Sequence, residues 1–254
     1  MPFWVESTLV ALLVFVGMLC LFETGRWIRR WRTARDGRHD EGAFGVIDGA
    51  VFALLGLLIA FTFSGAAARF ESRRQLIVEE ANAIGTAYLR IDLVPAAAQP
   101  ALRQGFRDYL DARMAAFQAL PDVDEAYRQV ARANDVQTRI WAGAMAAIRD
   151  DNTARMLLVP ALNQMFDVAN TRTVAATFHP PAAIFVLLVL LCLACAVIAG
   201  YGAGGTRSWL HAISFAAILA GTVYVTWNLE YPRFGFIRLD PVDRVLIDLR
   251  NSFK

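Results

Sequence analysis

Histidine, cysteine and lysine are scarce in this sequence, and their scarcity excludes several kinds of site. The chain has three His and three Cys, and Lys254 is its only lysine. The histidines are far apart and none lies between residues 69 and 178, so no metal-ligating spacing such as H-E-x-x-H occurs. The cysteines all lie in apolar runs, where Cys192 and Cys195 are expected to be two small apolar side chains on one helical face. The sequence therefore predicts neither a metal site nor a disulfide framework.

Motifs that bind cofactors or support catalysis are also missing. There is no phosphate-binding G-x-x-x-x-G-K-[ST] sequence, no G-x-G-x-x-G after a strand and no serine-nucleophile motif. Two acidic groups, Glu79 with Glu80 and the carboxylates of residues 122–125, are conceivable as a metal site or an acid–base pair. Neighbouring residues on a helix point about 100° apart, so we interpret these carboxylates as solvated or capping. We expect no catalytic residue and no cofactor, and hence a protein that is not an enzyme.

Apolar residues are abundant instead, at 57% of the 254 residues, and the formal net charge is only +2. So small a net charge gives no support for nucleic acid as a partner. The organising segment is residues 44–74, in which Asp48 is the only ionisable residue between Val46 and Ala68 and proline is absent. A helix needs roughly 20 apolar residues to cross a hydrocarbon core of about 30 Å, so this run predicts a transmembrane helix. An apolar periodicity that continues to Ile91 predicts that the same helix extends into a water-soluble region.

Three further apolar runs complete a set of four predicted spans. Residues 1–68 are expected to form a first hairpin, with spans at about 7–24 and 45–68, and residues 180–228 a second hairpin. The first run has no basic n-region and no small-residue cleavage site, so we expect a retained transmembrane helix and not a secretory signal.

Between these hairpins, residues 69–179 contain four amphipathic segments that are separated by proline and by capping residues. The pattern predicts a four-helix bundle, and the amphipathic tail, residues 229–254, is expected to pack on it. The fold class is thus an all-α membrane protein, with four transmembrane helices and a helical-bundle soluble insert between spans 2 and 3. The predicted bundle core consists of seven apolar side chains: Ile77, Ile84, Tyr88, Phe106, Phe117, Trp141 and Phe166.

An arginine-rich loop is predicted after the first span, interleaved with Trp27 and Trp31. We interpret it as a cytoplasmic anchor with interfacial tryptophans, and a patch for lipid headgroups or nucleic acid is the alternative. Six arginines crowd this stretch: Arg26, Arg29, Arg30, Arg32, Arg35 and Arg38.

The second span carries the candidate functional residues. Ala53, Leu57 and Phe61 lie four apart and therefore share one face of the helix, with Arg69 beyond them. If several copies arranged this face around an axis, the three apolar residues would form a hydrophobic pore neck and Arg69 a charged mouth. Hydrophobic necks that gate by dewetting, and arginine rings that favour anions, occur in channels. Ordinary helix packing, with Arg69 at the lipid headgroups, is the alternative.

Two motifs resemble those of a known family. The sequence LIAFTFSGAAARFE at residues 58–71 is similar to the second-helix segment of bestrophin anion channels, in which a neck aromatic precedes an Arg–aromatic pair by eight positions. After the fourth span, EYPRFG at residues 230–235 resembles the bestrophin acidic-x-Pro-Phe-Gly stretch with one inserted residue. The tail motif consists of Glu230, Pro232, Phe234 and Gly235. The segment VEEANAI at residues 78–84 looks like a bacterial bestrophin-like family whose members are mostly uncharacterised.

The resemblance implies a pentamer in the lipid bilayer, built around the second helix, with Ala53, Leu57 and Phe61 as the neck and inorganic ions as the permeant species. Two features depart from the bestrophin pattern. Ala53 and Leu57 are less bulky than the usual neck residues, and the acidic calcium clasp of animal bestrophins has no counterpart here. The alternative function is a non-conducting membrane interaction or sensor protein whose bundle binds a partner.

The side of the membrane on which the insert lies is open at this stage, although a bacterial inner membrane is expected. Arginines crowd the end of the first span, and the positive-inside rule then puts the insert outside the cytoplasm. The bestrophin resemblance implies a cytoplasmic insert, and the arginines near the other span ends nearly balance the charge count.

Overall fold

Helices make up every regular element in the residues that the structure describes. The computed structural model describes residues 3–36, 42–203 and 209–253. A 3-10 turn, Arg90–Leu93, directly follows the second helix. The helices in chain order are α1 (Phe3–Asp36), α2 (Gly42–Leu89), α3 (Gln99–Gln118), α4 (Val123–Ala147), α5 (Asn152–Thr177), α6 (Ala182–Gly202), α7 (Trp209–Glu230) and α8 (Asp240–Ser252).

Helix α1 continues through most of the segment that the sequence predicted as an arginine-rich loop. Its residues from Arg26 to Asp36 contain no glycine and no proline, and arginine is a good helix former. The guanidinium of Arg29 donates hydrogen bonds of 3.0 Å to the carbonyl oxygens of Tyr201 and Gly202, which satisfies the C-terminal end of α6. The arginines up to Arg35 are thus helical. The sixth arginine, Arg38, and the glycines Gly204 and Gly205 within the second predicted hairpin lie outside the described residues.

Four helical ranges are long and apolar enough to cross a membrane. They are Ser7–Arg35, Gly45–Leu93, Asn152–Gly202 and Trp209–Glu230. Because α2 runs without interruption from Gly42 to Leu89, the apolar run and its amphipathic continuation form one helix of 48 residues, as the periodicity predicted.

The chain divides into two units. The membrane unit comprises residues up to 69 together with 179–236, and the bundle unit comprises residues 70–178 together with 237 onward. The predicted tail, residues 229–254, is therefore shared: its first part belongs to the membrane unit and α8 to the bundle unit.

The membrane unit packs α1 closely against α6. A Cβ atom on Gly200 would lie 1.9 Å from the carbonyl oxygen of Phe22, and one on Gly25 would lie 2.1 Å from that of Val197. Small residues that let helix backbones approach are typical of helix contacts in membranes. Side chains from α1, α2, α6 and α7 form the core, including Met18, Leu55, Leu188, Cys192 and Val223.

The bundle unit has an apolar core built from α2, α3, α4, α5 and α8. Of the seven predicted core residues, Ile77, Ile84, Tyr88 and Phe106 are buried, whereas Trp141 and Phe166 are partly buried and pack against the core. Phe117 is partly buried as well.

Helix α8 packs on the bundle through its apolar and polar sides. Leu246 is buried, and the ring of Phe253 stacks on that of Tyr88 with centroids 3.8 Å apart. On the polar side, Arg250 Nε donates a hydrogen bond of 2.7 Å to Asp111 on α3. These contacts explain why the last residues of the chain belong to the bundle unit.

Candidate functional site

The membrane part of α2 presents one broad exposed face, which includes Leu54 and Phe63 at its edges as well as the three predicted neck residues. Leu57 is 52% exposed and Phe61 is 68% exposed, and Ala53 is exposed on the same side of the helix. On the other side, Leu55 and Ala66 are buried. The four-residue spacing predicted that the three residues share a face, and in the described part of the chain no other helix covers that face. We call Ala53, Leu57, Phe61 and the exposed residues Ser64 and Ala68 that follow them the exposed stripe.

Arg69 does not lie on the exposed stripe. It follows Phe61 by eight residues, which rotates it about 80° around the helix. Its side chain turns back along the helix, and a Cβ on Gly65 would lie 3.3 Å from Arg69 Nη1. The small residue at position 65 therefore leaves room for the guanidinium beside the helix.

A buried carboxylate neutralises Arg69. Arg69 Nε lies 3.0 and 2.9 Å from the two carboxylate oxygens of Glu230, and Nη2 lies 2.9 Å from Oε2. The Glu230 side chain is fully buried, whereas that of Arg69 is 36% exposed. His179 Nδ1 lies 3.3 Å from Glu230 Oε1, and its ring stacks on Tyr231 at a centroid distance of 4.4 Å. The sequence placed Arg69 and Glu230 in separate motifs, and the structure brings them together in one ion pair.

The tail motif forms a turn that folds back on the end of α7. The amide groups of Phe234 and Gly235 donate hydrogen bonds of 3.0 and 3.2 Å to the carbonyl oxygen of Tyr231. The Asn228 side chain then accepts a hydrogen bond of 2.7 Å from the amide of Phe236. A Cβ on Gly235 would lie 2.1 Å from Asn228 Oδ1, so this close approach requires glycine. The turn follows directly on Glu230, the residue that holds Arg69, and Pro232 within it is buried.

The bundle unit contains a buried ion cluster that the sequence patterns did not predict. Glu80, which we interpreted as solvated or capping, is fully buried and forms ion pairs with Arg113 and with Arg172. Arg172 Nη2 also lies 3.2 Å from Asp243 on α8. The ring of Phe117 lies below both guanidinium groups, 3.7 Å from Arg172 Cζ and 5.3 Å from Arg113 Cζ.

The electrostatics of this cluster favour the charged forms of its members. Burial is the largest single influence on the pKa of the Arg113 guanidinium and would lower it. The charges of Glu80 and Tyr109 and the hydrogen bond to Glu80 together outweigh burial, so this pKa is raised. The remaining Arg113 N–H groups donate to Thr173 Oγ1 at 3.1 Å and to the carbonyl oxygen of Ala169 at 3.2 Å. Burial raises the pKa of the neighbouring Tyr109, whose hydroxyl is buried without a hydrogen-bond partner among the described residues. The cluster joins α2, α3, α5 and α8, and its polar groups are engaged with one another, which fits a structural role.

The acidic residues near Pro121 have ordinary local roles. Asp122 is the N-cap of α4 and accepts a hydrogen bond of 3.0 Å from the amide of Glu125. Glu125 is paired with Arg128 on the surface. Among the described residues, no group of three His, Cys, Asp or Glu side chains could hold a metal ion. Cys20, Cys192 and Cys195 are free thiols.

The sequence and the helical architecture of this chain both resemble those of known proteins. The sequence model of the Bestrophin-like domain matches residues 9–243. No protein with a curated description matches the chain.

Solved structures of a bacterial bestrophin homolog from Klebsiella pneumoniae share the fold. A variant of that homolog superposes with a TM-score of 0.69 at 15% identity, covering 98% of this chain and 99% of that chain. A second structure of it gives a TM-score of 0.67 at 15% identity, with 97% and 99% covered. Since the match to the Bestrophin-like domain extends over nearly the whole sequence, this chain belongs to the Bestrophin-like family.

Proposed function

We propose that this protein is a homo-oligomeric ion channel of a bacterial inner membrane, with a permeation path along α2 and a neck formed by Ala53, Leu57 and Phe61. The observation that carries the proposal is the exposed stripe, because a membrane-spanning helix leaves one face uncovered while its other face packs in the core. The fold shared with the bacterial bestrophin homolog supports this use of the stripe.

Several copies are needed to enclose a path, since one protomer presents the stripe on its surface. The bestrophin resemblance suggests five copies around a central axis. Phe61 has the largest side chain of the three and is more exposed than Leu57, so it would define the narrowest part of the neck. A constriction lined by such side chains opposes the entry of water, which is how hydrophobic gates hold a pore closed.

Replacement of Phe61 tests the proposed neck. Phe61→Ala should widen the constriction and lower the cost of wetting it, so ion flux through protein reconstituted in liposomes should rise several-fold over the wild type. Phe63→Ala is the matched control, because Phe63 is also on α2 but points about 160° away from Phe61. It removes the same volume and should leave flux near the wild-type level.

Two outcomes would contradict the channel. Flux could be absent from wild-type protein that is well folded and oligomeric, which would support a non-conducting interaction or sensor protein. Alternatively, both alanine variants could lose thermal stability equally without any change in flux, as helix packing alone would predict.

We further propose that the bundle unit lies outside the cytoplasm, because the arginine-rich end of α1 favours the cytoplasmic side. The exposed residue Asp122 provides a test. In a variant whose three native cysteines are replaced by Ala, Asp122→Cys should react with a membrane-impermeant maleimide added to intact spheroplasts. Arg32→Cys on α1 is the control for the cytoplasmic side of the membrane, and it should be protected from the maleimide. Protection of Asp122→Cys together with labelling of Arg32→Cys would establish the cytoplasmic orientation of bestrophins instead.

A further inference from the structure

One exposed side of α1 extends from the membrane-spanning part of the helix to its arginine-rich end. Its residues recur at spacings of three and four, which places them on one side of the helix. We call them the α1 stripe: Leu9, Leu13, Val16, Cys20, Thr24, Trp27 and Trp31. The opposite side of α1 packs in the core of the membrane unit through the buried residues Val14 and Met18. The α1 stripe is therefore the side that this helix turns toward the surroundings of the protomer.

The chemistry of the α1 stripe changes along the helix axis. From Leu9 to Cys20 its side chains are apolar. The hydroxyl of Thr24 donates a hydrogen bond of 2.9 Å to the carbonyl oxygen of Cys20, so it is satisfied within the helix. Trp27 and Trp31 follow, and they are 64% and 51% exposed. Tryptophan is enriched where a membrane-spanning helix meets the lipid interface.

Two exposed arginines, Arg30 and Arg35, flank the tryptophans. Arg30 follows Trp27 by three residues and Arg35 follows Trp31 by four, so both are near neighbours on the helix surface. Arg35 Cζ lies 4.8 Å from the centre of the Trp31 ring, and this cation–π contact holds the guanidinium beside the ring. Residues 24–36 include five arginines, whereas Asp36 is their only acidic residue. This end of the helix therefore carries excess positive charge.

The arginines lie at one end of the membrane unit. Helices α1 and α6 run in the same direction, since Gly17 lies against Leu193 and Gly25 lies against Val197. Arg29 donates to the carbonyl oxygens at the C-terminal end of α6. The residues of α1 that follow Arg29 thus extend beyond the end of α6.

The dimensions of the α1 stripe match one leaflet of a bilayer. Val16 is near the middle of the span predicted at about 7–24. From Val16 to Trp27 the helix rises about 16 Å. That is close to half of a hydrocarbon core of roughly 30 Å. Trp27 then lies at the depth of the lipid esters, and Arg30 lies at the depth of the phosphates. The order apolar, tryptophan, arginine along α1 is thus the order acyl chain, ester, phosphate along a phospholipid.

We infer that the arginine-rich end of the α1 stripe binds an anionic phospholipid. The lipid phosphate pairs with Arg30 and Arg35, and an acyl chain extends along the apolar part of the stripe. Clustered arginines next to a membrane span attract anionic headgroups. A zwitterionic lipid fits less well, because the ammonium group next to its phosphate is repelled by the two guanidinium groups. The site does not depend on whether the protein conducts ions.

Native mass spectrometry of the purified full-length protein tests the headgroup preference. The protein is titrated with phosphatidylglycerol or with phosphatidylcholine of the same acyl chains, and the wild type should bind phosphatidylglycerol several-fold more tightly. Arg30→Gln should lose most of this preference. Arg32→Gln is the matched control, because it removes the same charge from an exposed residue that points about 160° away from Arg30, and it should bind like the wild type. Equal weakening in the two variants, or a wild type without a preference, would overturn the site.

Fluorescence quenching locates the bound lipid. Phosphatidylglycerol with brominated acyl chains should quench the tryptophan fluorescence of the wild type more than brominated phosphatidylcholine does at the same concentration. A double variant, Trp27→Phe with Trp31→Phe, should lose this difference, although four of the six tryptophans remain. A difference that persists in the double variant would show that the lipid binds elsewhere and would reject the α1 stripe as its site.

Two other occupants of the α1 stripe are distinguished by the same proteins. Displacement of phosphatidylglycerol by millimolar inorganic phosphate would show that phosphate is recognised without an acyl chain, and would reject a lipid site. If a second copy of the chain covered the stripe, the double variant would elute as a smaller oligomer and the wild type would show no lipid preference. We expect no displacement by phosphate and an unchanged elution volume.

Discussion

The membrane unit and the bundle unit hold their helices together with different side chains. In the bundle unit, large residues such as Phe106 and Leu162 are almost fully buried and fill the space between helices. In the membrane unit, α1 and α6 approach so closely at Gly25 and Gly200 that a Cβ atom on either would overlap the opposing backbone. Water drives large apolar side chains into a core. Lipid is itself apolar and offers no such driving force, so close van der Waals packing between helices stabilises the membrane unit instead.

Buried charge is also distributed differently in the two units. The bundle unit holds Glu80, Arg113 and Arg172 inside its core. In the membrane unit, Glu230, which pairs with Arg69, is the last residue of α7. A charge in the middle of a span is costly, whereas near a helix end it lies close to the polar interface. The ion cluster of the bundle unit joins four helices. Loss of one charge should therefore lower the stability of the bundle unit more than that of the membrane unit.

The largest effect is expected from breaking the buried cluster. Arg113→Ala leaves Glu80 with one of its two buried partners missing, which should lower the free energy of unfolding by about 3–5 kcal/mol. Differential scanning fluorimetry or chemical unfolding of the full chain in detergent would measure the loss.

An arginine from a surface pair provides the control for Arg113→Ala. Arg128→Ala removes an i,i+3 pair with Glu125 on the surface of α4 and should leave the unfolding midpoint unchanged. Equal losses from the two variants would show that the buried cluster does not stabilise the bundle unit.

A smaller effect is expected from adding one methyl group where α1 meets α6. The Cβ of Gly200→Ala would lie 1.9 Å from a backbone oxygen, so the two helices must move apart. Overpacking of this kind costs about 1–3 kcal/mol. The unfolding midpoint of the purified protein should fall.

Gly221 provides the matched glycine for this test. It lies within α7, and a Cβ on it would have nothing within 4 Å. Gly221→Ala should therefore be neutral or slightly stabilising, because alanine favours a helix more than glycine does. If Gly200→Ala were equally neutral, close packing of α1 on α6 would not be a source of stability, and the contrast between the two units would fail.

Local patterns predicted much of the fold but not its long-range contacts. The carboxylates of residues 122–125 were interpreted as solvated or capping, and Asp122 is indeed the N-cap of α4. Along the bundle part of α2, however, Arg74 is exposed and its neighbour Arg73 is buried and donates a hydrogen bond of 2.9 Å to the carbonyl oxygen of Phe178. Periodicity averages over a whole helix, so it cannot tell which of two adjacent arginines faces a partner.

The sequence did contain one feature that indicates the buried ion cluster. Arg113 falls in register with Phe106 and Tyr109 on the apolar face of α3. A charge on an apolar face indicates a buried partner, since an unpaired buried charge is strongly disfavoured. Glu80, 33 residues earlier, is that partner. The identity of the partner could not be predicted, because many carboxylates are compatible with the same local pattern.

By itself, the sequence determined the all-helical class, the apolar spans, the unbroken α2 and the shared face of Ala53, Leu57 and Phe61. Each of these follows from interactions within a few residues along one helix or from the length of an apolar run. Only the tertiary structure decided that this face is uncovered in the protomer, that Glu230 neutralises Arg69 and that Glu80 is buried between two arginines. These outcomes depend on which helices pack together, and that is set by the sum of many weak contacts between residues far apart in the chain.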